Sequence, residues 1–103
     1  MSARRGVRVA PEVRVYIADI TRSTREERML SLGASPRATV ALFRAARAAA
    51  VLDGRNFVTP DDVKGVTPAV LRHRINLAPE LEVEGRSADD VLSALLTRVR
   101  VPE

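Results

Sequence analysis

Between Ser35 and Asp53 the chain carries a run that fits a single long helix with apolar residues nearly all the way round. Ala38, Leu42, Ala45, Ala46 and Ala49 fall on one side and Val40, Phe43, Ala50 and Val51 toward another, leaving only Arg37, Arg44 and Arg47 as a polar strip. A helix of this kind predicts a central position contacted from several directions, with the rest of the fold arranged around it. Its start is signalled by Ser35-Pro36: a serine oxygen can accept a free amide of the first turn, and a proline at the first helical position gives up no bond. Gly54 fits the left-handed position that closes a helix.

The neighbours of this helix follow from the same grammar. From Pro11 onward, Val13, Tyr16, Ile17 and Ile20 share one stripe at about 100° per residue while Arg14, Asp19 and Arg22 point away, which predicts an amphipathic helix over roughly 11 to 24. Residues 25 to 35 read as a loop anchored by Met29, Leu30 and Leu32. Thr59-Pro60 before Val63 and Thr67-Pro68 before Leu71 each read as a cap with a hydrophobic staple, so the third helix is expected to be short and broken at Thr67-Pro68. Asn76 to Arg86, with Pro79, Gly85 and Leu81 and Val83 alternating with glutamates, reads as a loop holding a scrap of edge strand. Ser87 with Asp90 three residues on opens a last helix whose apolar face is Val91, Leu92, Leu95, Leu96 and Val99, ended by Pro102. The sum is an all-α bundle of four helices, the third interrupted, over 11 to 101, preceded by a flexible basic lead-in over 1 to 10 and followed by a tail of two residues.

Composition limits the chemistry. A chain of 103 residues holds one domain with a core of its own, and with 3% aromatic residues and no Trp that core is built from Ala, Val and Leu. No Cys is present, which excludes thiolate metal sites and cysteine nucleophiles, and the single His73 excludes any site needing two imidazoles. There is no glycine-rich phosphate loop, so this stretch alone is expected to have no ATPase activity. Asp61 with Asp62 and Asp89 with Asp90 look like carboxylate pairs, but each falls in a first helical turn, where negative charge meets the positive end of the dipole, and they read as structural. No apolar run approaches the roughly 20 residues of a membrane span and the start has no signal-like stretch, so the cytoplasm is the expected place.

The charge is uneven. Of 17 bases, sixteen are Arg, and residues 1 to 51 carry a net +6 while the remainder carries −2. A basic half attracts phosphates of any kind. One reading is therefore a basic helical module for nucleic acid, with a helix broken at Thr67-Pro68 imitating a helix-turn-helix; against it, Arg72, His73 and Arg74 sit at the wrong end of the second piece to read bases. The Arg4, Arg5, Arg8 cluster lacks interleaved aromatics and reads as a solvated tail. His73 reads as a cap at a helix end, and Tyr16 as core packing with a hydroxyl in reach of a polar partner. Arg37 breaks a local rule: a cation near a helix start meets an end that is already positive, which costs some tenths of a kcal/mol unless an anion binds there.

Tyr16-Ile17, Thr21-Arg22, Gly33-Ala34-Ser35-Pro36-Arg37-Ala38, Gly54-Arg55, Val58-Thr59-Pro60-Asp61-Asp62-Val63 and Val70-Leu71-Arg72-His73-Arg74, in this order and spacing, resemble the C-terminal lid of MoxR-type AAA+ ATPases. The resemblance runs from about Val9 to Val101. It implies a helical domain that follows a nucleotide-binding α/β domain, its partner, and closes over bound ATP with its magnesium. Arg37 stands where the family has its second-sensor arginine, which reaches the γ-phosphate from the lid; Ser35 and Pro36 would set the helix start that aims it, Gly33 would allow the turn, and Tyr16 and Ala38 would border the adenine end. The Walker elements, first sensor and arginine finger of the family have no counterpart here. The resemblance further implies a parent ATPase in a homo-oligomeric, usually hexameric, ring with a chaperone-like role toward von Willebrand factor A-domain or metal-containing proteins. The lid alone is expected to be a monomer with little affinity for ATP.

Overall fold

A computed structural model describes residues 6 to 102. The elements run α1 (Pro11–Glu26), β1 (Leu30–Leu32), α2 (Arg37–Leu52), α3 (Pro60–Leu71), β2 (Asn76–Leu77), α4 (Pro79–Val83) and α5 (Ala88–Arg98). The all-α bundle is therefore present, with five helices among the described residues and one small pair of strands.

α1 follows the stripe read from its sequence: Val13, Tyr16, Ile17 and Ile20 are buried, and the stripe continues into two buried threonines, Thr21 and Thr24. α2 buries Ala38, Leu42, Ala46 and Ala50, one residue in four along a single row, against α3 and, less extensively, α1. Its burial is narrower than the sequence predicts, since Val40 is 52% exposed. The apolar circumference of α2 is mostly alanine, whose methyl group costs little in water, so all-round apolarity there does not demand all-round contact. α1 and α3 each meet three other helices, and α3 packs most extensively on α2. Gly54 closes α2 at φ +75°, as expected.

The break at Thr67-Pro68 does not occur. α3 continues through Pro68, and the Arg72 amide bonds the Pro68 carbonyl at 3.0 Å. Proline removes one bond, to the Lys64 carbonyl, but Val63, Thr67 and Leu71 lie four apart on the face pressed into the core, and that burial outweighs one lost bond. Thr67 is not a cap; its hydroxyl donates back to the Val63 carbonyl at 2.6 Å. The arginine at the end of α3 does the capping expected of His73: the Arg72 Nε donates to the Pro68 carbonyl, while His73 is exposed in the following turn.

The strand scrap lies at Asn76–Leu77, pairing antiparallel with Leu30–Leu32, so the expected loop over 25 to 35 contains a strand. The alternating Leu81 and Val83 stretch is the short helix α4 instead. Pro79 follows extended Ala78 at the first helical position, and Gly85 at φ +81° ends the turn, so the backbone punctuation overrides the period-two pattern. α5 starts at Ser87 as expected but ends at Arg98, four residues before Pro102.

Part of the expected lead-in is docked. Val7 and Val9 are buried, and Arg8 bridges the 56–58 segment through Arg8 N–H to the Asn56 carbonyl (2.8 Å) and Val58 N–H to the Arg8 carbonyl (2.9 Å). Alternating valines give this segment an apolar face to bury. Residues 1 to 5, including Arg4 and Arg5, and Glu103 of the tail lie outside the described residues. Among the described residues no helix is long and apolar enough to cross a membrane.

Candidate functional site

Helix starts in this molecule are of two kinds. α3 and α5 begin with full capping boxes: the Thr59 side chain accepts the Asp62 amide while Asp62 accepts the Thr59 amide at 2.8 Å, and Ser87 and Asp90 do the same. Both acidic pairs are thus structural; Asp89 also meets Arg72 at 3.2 Å. α2 begins otherwise. Ser35 does not cap with its side chain; its carbonyl accepts the Ala38 amide at 2.9 Å, and Pro36, already in helical geometry, accepts Thr39 at 3.1 Å. No acid occupies the first turn of α2.

Arg37 is the first residue of α2, exposed, and among the described residues its side chain has no hydrogen bond, ion pair or ring contact. The positive end of a helix and a guanidinium stand together there with no anion to balance them. Beside them, Arg25, Ser31, Leu32, Gly33, Ala34, Ser35 and Arg74 line an open groove of about 580 Å³. Such a surface suits a phosphate: N–H groups and guanidinium donors, and no carboxylate to repel it. The described residues contain no cluster of His, Cys, Asp and Glu able to hold a metal ion.

The other site residues read from the sequence divide. Ser35 and Ala38 adjoin Arg37, but the Ala38 methyl is fully enclosed in the core. Tyr16 is 1% exposed, and it lines a different depression, with Val15, Arg100 and Val101. Its hydroxyl is buried without a hydrogen-bond partner among the described residues, and burial, then the charge of Asp61, pushes its pKa up, so it stays protonated. Gly33 serves a purpose other than a left-handed turn. A Cβ there would stand 2.5 Å from the Thr24 carbonyl oxygen and 2.6 Å from Arg25 Cα, so glycine is needed because the chain crosses directly against α1.

The Gly54-Arg55 pair builds the start of α3. Arg55 forks onto Asp62, with Nη1 2.7 Å from Oδ2, reaches Asp53 at 2.9 Å, and lies over the Phe57 ring at 5.7 Å. Hydrogen bonds from Arg55 hold the Asp62 carboxyl below the usual carboxylate range against the opposing effect of burial, with the Thr59 amide adding to them.

Residues 22 to 95 match the AAA lid domain family. The chain belongs to that family. Over 93% of its length the lid is 38% identical to the uncharacterized protein YeaC of Bacillus subtilis, and over 85% it is 34% identical to chaperone MoxR1 of Mycobacterium tuberculosis. A crystal structure of a candidate ATPase from Cytophaga hutchinsonii superposes with a TM-score of 0.89 at 30% identity, covering 98% of the lid. The resemblance to lids of MoxR-type AAA+ ATPases therefore holds. The lid spans 30%, 26% and 33% of the lengths of these three proteins.

Two residues near Arg37, Thr24 and Thr39, carried no signal in the motifs, and Thr21 stood there only as half of the Thr21-Arg22 pair, with no role of its own. Polar residues on the apolar stripe of α1, spaced three apart, were the available mark.

Proposed function

We infer that this lid closes over ATP bound in a preceding α/β domain, and that Arg37 is its second-sensor arginine. The observation that carries the reading is the exposed, unpartnered guanidinium at a helix start that has neither side-chain cap nor acid, inside the segment matched to the family. A polyphosphate fits this environment, since a cation that is mildly unfavourable alone becomes a charge-assisted contact when an anion arrives. ATP bound in the parent supplies the phosphoryl group and the charge that grows during its transfer; Arg37 supplies fixed positive charge toward it, and the first-turn amides of α2 add the helix dipole. The lid offers no carboxylate here for magnesium, so metal ligands belong to the preceding domain. Ser35 contributes through its carbonyl, which starts the helix. Ala38 and Tyr16 contribute as core residues on the lid side of the adenine wall. The parent acts in the cytoplasm as a homo-oligomeric, hexameric ring with a chaperone-like role toward von Willebrand factor A-domain proteins.

The test is Arg37→Ala in the full-length ATPase carrying this lid. Hydrolysis is expected to fall about a hundredfold, the usual cost of removing one preorganised charge donor, with an unchanged melting temperature. Normal turnover removes the sensor role. In the lid alone, a non-hydrolysable ATP analogue is expected to give weak amide shifts confined to residues 33 to 38 and their neighbours.

A further inference from the structure

The arch that carries Arg37 is tied to α1 on both sides of the arginine. Upstream, the Ala34 N–H donates to the Thr24 hydroxyl at 2.9 Å, and Arg25 Nη1 donates to the Ala34 carbonyl at 3.3 Å, so both backbone polar groups of that residue end on α1. Downstream, the Thr39 and Thr21 hydroxyls lie 2.8 Å apart. Each α1 threonine is fixed in turn: Thr24 donates to the Thr21 carbonyl at 2.6 Å, and Thr21 to the Ala18 carbonyl at 3.0 Å, which leaves Thr39 as the donor between the pair. Both α1 threonines are buried, and Gly33 lets the arch press on the same turn.

Valine would fill these two positions with the same volume, and a hydroxyl in a core is unfavourable unless it is bonded. Threonine replaces the aliphatic stripe of α1 where α1 meets the arch, and every hydroxyl there is satisfied. Elsewhere on the same stripe, the Tyr16 hydroxyl finds no partner among the described residues.

We propose that Thr21 and Thr24 are positioning residues whose buried hydroxyls lock the Gly33–Thr39 arch onto α1 and so aim Arg37. This rests on the sensor reading of Arg37 and adds that α1 and the arch move as one body, so a displacement of α1 reaches the arginine without slack. Arg37 sits between the two tethers, three residues after Ala34 and two before Thr39. With either tether released, the guanidinium keeps its charge and loses its direction.

The experiment uses the full-length ATPase carrying this lid, with Thr24→Val, Thr39→Val and Thr24→Ser made alone and together with Arg37→Ala, reading kcat and KM for ATP and the melting temperature. Thr24→Val is expected to lower kcat/KM at least tenfold, Thr39→Val about threefold, and Thr24→Ser by less than twofold because the hydroxyl remains. In the Arg37→Ala background Thr24→Val is expected to cost nothing further, which a purely structural threonine would not show. Wild-type kcat/KM in folded Thr24→Val overturns the proposal; should that variant not fold, the same result in Thr39→Val, at a half-buried site, does so. An equal loss with and without Arg37 overturns it as well. A slow Arg37→Ala beside a normal Thr24→Val sinks the positioning role alone, whereas normal turnover in Arg37→Ala removes the sensor reading and this proposal with it.

Discussion

α2 and α3 both start after an extended or turning segment with proline close by, yet their first turns are opposites. α3 satisfies its amides with a capping box, places Asp61 and Asp62 in the first turn and binds Asp62 to Arg55. α2 has no side-chain cap, no acid, and Arg37 at its first position. Burial makes the contrast sharper, because the arch before α2 is anchored by buried threonines, so its bare end is not a loose one. On the sensor reading, the α2 end, held in place yet left electrostatically incomplete, awaits an anion, while the α3 end is completed by its own residues. Substitutions at the α3 start should therefore cost stability, and substitutions at the α2 start should cost function.

The largest expected effect is at Asp62. Asp62→Ala removes the reciprocal cap and leaves Arg55 without its main partner, for a loss of roughly 2 to 3 kcal/mol and a fall in melting temperature on the order of 10 °C. Thermal unfolding followed by circular dichroism measures it, and a loss below about 0.5 kcal/mol would break the contrast by showing that the capped end is dispensable. Acid should reveal the same carboxylate. Because its folded pKa is depressed, its contribution is complete above its unfolded pKa of about 4 and drains away as pH falls through the folded value. The gap in melting temperature between the wild type and Asp62→Asn is accordingly expected to be constant near neutrality and to close below about pH 4. A gap that persists at pH 2 would mean that the cap works through geometry without charge.

Much of this contrast is legible in the sequence, for a reason that also marks where legibility ends. Caps, prolines and the Arg37 anomaly act between residues a few positions apart, and Thr59–Asp62, Ser87–Asp90 and the stripe of α1 all appear where local pattern puts them. What escapes is decided at long range. Pro68 stays inside a helix because Val63, Thr67 and Leu71 are pinned by packing, and Leu30–Leu32 become a strand because Asn76–Leu77 arrive from elsewhere in the chain to pair with them. At the site the division is the same: Arg37 is visible as a broken local rule, whereas Thr24 shows in the sequence only as a polar residue on an apolar stripe, and what it holds is visible only once Ala34 lies against it. Ser35 marks the limit from the other side, since its residue type predicts a cap and its observed bond is through the backbone.

That difference between Ser35 and Thr59 gives a smaller, sharper measurement. Thr59→Ala removes a cap bond and is expected to cost about 1 kcal/mol. Ser35→Ala removes no cap bond and is expected to leave stability within about 0.5 kcal/mol of the wild type, by the same thermal melt. Equal losses at the two sites would show that the serine caps α2 in solution, and the bare helix end would no longer distinguish α2.

The smallest effect is the most telling because its sign is unusual. Arg37→Glu places an acid where the helix dipole favours one, so the lid alone is expected to gain roughly 0.5 kcal/mol and melt about 2 to 4 °C higher. The same substitution in the full-length ATPase sets a carboxylate where the sensor reading needs a cation, and hydrolysis is expected to fall at least as far as in Arg37→Ala. A residue kept for folding cannot give opposite signs in the two measurements, because the wild-type side chain would then be the stabilising one. Opposite signs would mean that the fold tolerates an unfavourable cation at α2 for the sake of what it binds. An Arg37→Glu lid that melts below the wild type would instead assign Arg37 to structure, and the distinction between the two helix starts would vanish.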